Sequence, residues 1–523
     1  MRSKSPFKAA TLSPLLMLAP AFFSSQALAA GDVKLALTAD ILSTNPGVTR
    51  DDNTDGVMLN IVEGLVGYGE GGTVKPLLAK SVDIAKDGLT YTFKLRDGIT
   101  FQDGLPFTST DVLWNWNRYS DPVTKWRCLP DVDGTNGVKV TSVDAPDAAT
   151  VVLHLDTPSA LFLDTLARTD CGGTGMLSKA SVNTDGTWNK PIGTGPYELV
   201  EWKKGQSVTL KRFEGYKSPD GSGFDGYVGN KAPHADRATF VVVPDAATVR
   251  AAVIAGNIDV AQILTSDVEE LKEVKGIKVL TPSDASKHAL LFQTNNPLFR
   301  DAKFRQAIAA ALDLKQLVGF ASDGLSDASA SAVFGASPYN DDVQKRSFQY
   351  DLQAAKTLLS QSSYKGETIK LVANKRAPMP SSQVALVAQS MLQAIGVKVE
   401  IEVLEWATQL DKYNSGDYEM MSFSYSSRLD PALSFEQFVG DKTKQPRKVW
   451  DNPVAISLID KAKTLTDPGE RQKIFDQLHE MMLADAPLII LYNGQTAWAH
   501  RDRVQTFKPW EGKPRLWGMR VIP

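Results

Sequence analysis

From Thr90 to Arg96, bulky and β-branched side chains alternate with small or charged ones. Tyr91, Phe93 and Leu95 fall on one face, and Thr92, Lys94 and Arg96 on the other. A period of two predicts a half-buried strand. Asp87-Gly88, Asp97-Gly98 and Asp103-Gly104 punctuate it, each pair suited to the positive φ of a tight turn. Ser109-Thr110-Asp111 then leads into an apolar run, as a helix N-cap does. Further on, Val384, Val387, Ala388, Met391 and Leu392 keep the spacing of one helical face, and Gly396 stands where such a helix ends. Val397, Val399, Ile401 and Val403 alternate with Lys398, Glu400 and Glu402 directly afterwards. A helix feeding a strand in this way is half of an α/β unit. Residues 350–359 predict another amphipathic helix. Phe304, Ile308, Ala311 and Leu312 share a face of a third, with Asp301 as its N-cap.

With 523 residues and 43% hydrophobic content, the chain has material for a large core and several domains. A net charge of -3 gives no electrostatic case for nucleic acid. Arg2, Lys4 and Lys8 precede an apolar run at 12–23, and Ala27-Leu28-Ala29 has the small-x-small form of a cleavage site. Residues 1–29 are therefore expected to be a signal peptide, the apolar run being too short for an anchor. Removing its three cations and no acid takes the charge from -3 to -6. No Cys follows the cut, so the expected product is a free periplasmic protein of a two-membraned bacterium. Cys128 and Cys171 are the only cysteines, and in an oxidising compartment they predict a disulfide; two buried thiols are the alternative.

No catalytic constellation emerges. GxSxG and GxxxxGK[ST] are absent, and His479-Glu480 lacks the second His of HExxH. His154, His234, His288, His479 and His500 are scattered. Pairs such as Asp51-Asp52 and Glu269-Glu270 read as solvated surface, not as a glycosidase pair. Neither a cofactor nor a metal is predicted.

The segment 87–112, DGLTYTFKLRDGITFQDGLPFTSTDV, resembles a signature of the extracytoplasmic solute-binding proteins of peptide-type ABC importers. Ser109 stands where Ala is usual, and Val82 where a Trp is common. PIGTGPY at 191–197, RFEGY at 212–216, RAAVIAGNID at 250–259 and NNPLFRDAKFRQAIAAA at 295–311 resemble further signatures in the family's order. The resemblance runs from about residue 62 to 491. It implies an α/β, two-lobed periplasmic-binding-protein fold (type II, the large three-domain variant) with an extra subdomain on the first lobe. By resemblance, 30–62, 192–290 and 487–523 form the discontinuous lobe I, 63–191 the extra subdomain, and 291–486 lobe II. It further implies a monomer that captures a peptide or peptide-like solute between its lobes, without transforming it. The solute passes to ABC permease subunits in the inner membrane.

In this family the ligand's ends are held by fixed charges, because an unpaired charge is costly to desolvate. Arg376, in ANKRAPMP at 373–380, occupies the position of an Arg that grips a peptide carboxylate. FSYSSRLDP at 423–431 resembles the family's "GW..D..DP". Tyr425 aligns with the Trp. The amine-binding Asp position falls on Arg428, or on Ser427 if a one-residue gap is moved. Asp430 reads as a helix cap. A cation in place of a carboxylate predicts an anionic or zwitterionic ligand: an acidic peptide, an opine-like amino acid–sugar conjugate or a phosphorylated sugar. Ordinary oligopeptides are the other binding reading, and a periplasmic hydrolase of peptides or esters is the alternative from another class. Gln293 and Asn295 lie where the family crosses between lobes, and the loop 170–175 offers backbone N–H groups to the cleft mouth.

Overall fold

The computed structural model describes residues 31–375 and 381–522; the expected signal peptide and Arg376 lie outside the described residues. Three sheets carry the architecture. The largest has seven strands, with Asp32–Leu37 near its centre, parallel to Arg237–Val242 and Val260–Ile263. Ala497–Arg501 and Ile277–Leu280 extend one side, and Ser207–Arg212 and Tyr197–Lys203 the other. Alternate residues of the central strand, Val33, Leu35 and Leu37, are buried.

The second lobe is a five-stranded sheet between two helical layers. Thr368–Ala373 lies between Lys398–Val403 and Met420–Tyr425, parallel to both; Ser283–Phe292 then pairs antiparallel with Met420–Tyr425 and with Leu488–Gln495. Both faces are apolar, as in strands covered on both sides. Leu290, Ile369, Leu371 and Ile489 pack under the helices Ala302–Ala311 and Ser381–Gln393. Leu291, Val372, Met421 and Ile490 pack under Pro453–Thr464 and Pro468–Asp485. The predicted helix face is buried at Val384, Ala388 and Leu392, and Asp301 accepts the Lys303 amide as N-cap at 2.9 Å. Val403, expected on the inner face of its strand, is exposed because Lys398–Val403 is the edge strand.

The third sheet is antiparallel, in the order Ala79–Ile84, Thr90–Leu95, Thr150–Leu155, Val140–Asp147. Tyr91, Phe93 and Leu95 point into its core, and Gly88, Gly98 and Gly104 have the positive φ that the Asp-Gly pairs predict. The helix after it is Ser109–Ser120, capped one residue earlier than expected: the Asp111 carboxylate accepts both the amide and the hydroxyl of Thr108 at 2.9 Å. This core continues into Trp510 and Trp517 of the C-terminal segment, so the subdomain is welded to lobe I. Glu63 reinforces the weld. Its carboxylate, fully buried, pairs with Lys231 at 2.9 Å and accepts the Tyr216 hydroxyl at 2.8 Å. Gly193 and Gly195 of the GTGPY turn are dictated by close approach, with φ outside the left-handed region. A Cβ at Gly193 would lie 2.1 Å from the Ile61 carbonyl oxygen.

The chain crosses between the two large sheets twice, side by side. Leu280 pairs with Trp498 in one sheet, Ser283 with Gln495 in the other, and the Thr496 amide donates to the Pro282 carbonyl at 3.1 Å between them. Both Ser283–Phe292 and Leu488–Gln495 are hydrogen-bonded into the second lobe. The crossings are therefore at 281–282 and 496, whereas the expected lobe edges lay at 290 and 487. Among the described residues no helix is long and apolar enough to cross a membrane.

Candidate functional site

Charged side chains from all three bodies converge where the lobes face each other. Lobe II supplies the loop after Met420–Tyr425. There Arg428 donates to the Ser427 carbonyl at 2.7 Å and to the Ser426 hydroxyl at 3.2 Å. The Ser427 hydroxyl donates to Glu511 of the C-terminal segment at 2.7 Å. Beneath this loop, on the strand Ser283–Phe292, Lys287 sits opposite Tyr425 and is fully buried. Its ammonium donates to the Ala285 carbonyl at 3.0 Å. Among the described residues no carboxylate lies within ion-pair distance of Arg428 or Lys287. Burial, and then the Arg428 charge, pushes Lys287 down to about 7. Burial, and then Arg168, lowers Arg428 as well. Asp284 and Glu511 act on Lys287, and Asp170 on Arg428, without reversing either shift.

The subdomain contributes the segment Thr169–Thr174. Cys171 is bonded to Cys128, with the Cα atoms 5.8 Å apart, so the pairing read from the sequence is formed. The Cys171 carbonyl accepts the Trp126 indole N–H at 3.0 Å. It also presses on Gly47, where a Cβ would lie 2.4 Å away. This seat fixes Asp170, which pairs with Arg168 at 2.9 Å and with Arg127 at 3.4 Å. Burial opposes the charge of Asp170, but Arg168, Arg127 and Arg428 outweigh it and draw its carboxyl down to about 2. An acid so firmly paired does not neutralise Arg428. The loop anticipated at the cleft mouth is present, but it brings a paired side-chain carboxylate to the site. Lobe I adds Asp52, in ion-pair contact with the buried Lys513 at 2.8 Å.

Of the residues expected to hold ligand, Arg428 and Ser427 are brought together here. Tyr425 is not at the wall. It shares strand parity with Met421 and Phe423 and packs against Tyr413 and Phe438 in the lobe core. Gln293 and Asn295 are also misplaced by the expectation. They follow the ten-residue strand Ser283–Phe292, about 30 Å of extended chain beyond the crossing. Gln293 is buried between the Gly416 carbonyl at 3.1 Å and the Lys442 ammonium at 3.0 Å, and Asn295 is exposed nearby. Asp430 caps its helix through the Ala432 amide at 2.8 Å, as read. Lys287 and Glu511 were missed. A lysine on the inner parity of the run 283–292 was the available signal for the first, since a buried cation in a strand core demands a reason. Glu511 lies in an irregular segment with no period to read.

A hinged pair of α/β lobes with uncompensated charge between them defines a solute-binding protein. Residues 73–446 match the middle region of the bacterial extracellular solute-binding proteins, family 5, and the chain belongs to that family. It is the solute-binding component of an ABC importer. The oligopeptide-binding protein AppA of Bacillus subtilis (strain 168) is 26% identical over 463 residues, 83% of this chain and 81% of its own. The glutathione-binding protein GsiB of Escherichia coli (strain K12) is 26% identical over 507 residues, 94% of each chain. Among solved structures, the binding protein AgaA from A. tumefaciens R10, in complex with agropinic acid, is similar with a TM-score of 0.69 at 25% identity. That likeness covers 94% of this chain and 99% of AgaA.

Proposed function

We propose that the protein captures a peptide or peptide-like solute bearing an acidic group and hands it, unchanged, to ABC permease subunits in the inner membrane. It works as a periplasmic monomer after loss of its signal peptide. The observation that carries the reading is the convergence of Arg428 and Lys287 on the interlobe gap without an ion-pair partner among the described residues. A buried lysine beside a half-buried arginine is costly until an anion arrives, so solute charge and lobe closure are coupled. Arg376 is assigned to a second acidic group by its place in the sequence motif. AgaA was solved in complex with agropinic acid and GsiB is named for glutathione, which supports a small peptide-like or opine-like acid; AppA, named for oligopeptides, supports the peptide class more broadly. Lobe II moves as the unit bounded by the crossings at 281–282 and 496.

Native mass spectrometry of the protein taken from its own periplasm, followed by calorimetry with glutathione, agropinic acid and matched acidic and neutral tripeptides, tests the reading. Acidic ligands should bind at least ~10-fold tighter than their neutral amides, about 1.4 kcal/mol. Equal affinity for both would remove the charge argument, and conversion of a bound ligand to product would replace binding with hydrolysis.

A further inference from the structure

A second cavity of about 330 Å³ lies between the subdomain and lobe II; Leu429, the residue after Arg428, is in its wall, and neither Arg428 nor Lys287 lines it. Small-molecule sites begin at roughly 300 Å³. Its walls are largely apolar: Tyr91 and Leu163 from the subdomain, and Pro338, Leu429 and Pro431 from lobe II. Its charged residues are Asp164, Asp430 and Arg471. Arg471 is fully committed. It donates to Asp430 at 2.8 Å, to the Ala462 carbonyl at 3.1 Å and to the Tyr339 hydroxyl at 3.3 Å. The same Asp430 oxygen accepts the Ala432 amide. Asp164 is different. It is 8% exposed, lines the cavity, and has no cation within ion-pair distance among the described residues.

We propose that this cavity is a second binding site, for an ammonium or guanidinium group on a short aliphatic stem, with Asp164 as its counter-charge. The apolar walls suit the stem, and Asp164, the cavity carboxylate that Arg471 does not pair, suits the cation. Burial, and then Asp430, hold the Asp164 carboxyl well above the usual carboxylate range; Arg471 and Tyr68 work the other way without overcoming them. Tyr339 completes the titratable groups around it. The empty site therefore keeps a proton, and an arriving cation displaces it. Affinity rises with pH until Asp164 is ionised in the empty site, and falls in acid. Because one wall belongs to each moving body, the occupant binds the closed form and stabilises it. The cation comes either from a basic side chain of the transported solute or from a separate small amine.

Calorimetric titration distinguishes these. The probes are n-butylammonium and n-butylguanidinium with n-butanol as the uncharged control, and the tripeptides Glu-Lys-Ala and Glu-norleucine-Ala. Saturable binding of the alkyl cations but not of n-butanol, weakened at least ~10-fold by Asp164→Asn, supports a site for free amines. A ~10-fold preference for the lysine peptide that Asp164→Asn abolishes, without binding of the alkyl cations, supports the same site filled by the solute's side chain. The titrations are repeated in phosphate and in Tris, where about one proton released per cation bound is expected. That measurement needs no variant and decides the matter if Asp164→Asn fails to fold. Cations binding no better than n-butanol together with peptides bound alike, affinity unchanged in Asp164→Asn, or no proton release would overturn the proposal. Lys287→Met, which alters the anion site at a residue outside this cavity's lining, should leave the alkyl cations unaffected, so failure here is separable from failure of the anion site.

Discussion

The Ser427 hydroxyl donates to the Glu511 carboxylate across 2.7 Å, and the two residues belong to opposite lobes. The same carboxylate accepts the Ala285 amide at 3.2 Å just past the first crossing. Burial, and then Asp284, push Glu511 up to about 7. The Ser427 bond works the other way and favours the ionised carboxylate. Because the folded chain holds the carboxyl above its ordinary value, its contribution to stability is present below the ordinary glutamate range and lost as pH climbs through about 7. The melting temperature of the wild type relative to Glu511→Gln should therefore fall between about pH 6 and about pH 8. A difference that does not change across that window would show that Glu511 does not carry the dependence.

Lys287→Met should separate stability from binding. The lysine's charge is disfavoured by burial and by Arg428, and its group is depressed to about 7. In the unfolded chain it is protonated up to its ordinary value, so the folded state loses stability as pH falls toward about 7. Met keeps the stem and removes the charge. The unliganded melting temperature at neutral pH should rise, while affinity for an acidic solute drops at least ~10-fold. A fall in both would mean that Lys287 is a packing residue.

Arg428→Ala should cost roughly 1.5–3 kcal/mol of affinity for an acidic ligand, the range of a charge-assisted hydrogen bond. It also removes one of the cations that hold Asp170 down, so the Asp170 carboxyl should titrate at higher pH, as followed by NMR. Unchanged affinity would relocate the anion site to other residues.

Reduction of the Cys128–Cys171 bond, or the double Ser variant, should lower stability. The cysteines are 43 positions apart, and a loop of that length corresponds to about 4 kcal/mol in the chain-entropy picture. The loop carrying Asp170 should also loosen, giving a faster ligand off-rate in stopped-flow measurements. An unaltered thermal transition under reducing conditions would contradict this.

Gly193→Ala should destabilise the seam between the subdomain and lobe I. The added methyl would sit 2.1 Å from the Ile61 carbonyl oxygen, a backbone atom that cannot step aside cheaply. Overpacking of this kind costs about 1–3 kcal/mol, readable as a lower urea midpoint with an unchanged slope. A wild-type midpoint would show that the turn has slack.

Local pattern disclosed most of the fold. Val384, Ala388 and Leu392 announced a helix because one side of it is buried, and the alternation at Tyr91, Phe93 and Leu95 announced a strand for the same reason. Asp301 and Asp430 were readable as caps because capping is a contact between near neighbours. The site was less legible. Ala285 and Glu511 are 226 positions apart, and Ser427 and Glu511 are 84; no period or turn rule reaches that far. Tyr425 was misread because a motif alignment fixes a position along a strand but not the face it presents. Gln293 was misread because the crossing between sheets falls before the strand Ser283–Phe292, where Pro282 and Thr496 meet.

Two strands carry the chain between the lobes as a hydrogen-bonded ribbon. A lone strand would let the halves slip, stretch or wander. A paired ribbon resists sliding, since a slip of one residue would turn every side chain to the wrong face. What stays soft is swivelling about a single line. Contacts across the mouth are then gained or lost in concert, and capture works more like a trap snapping shut than like a glove being fitted finger by finger.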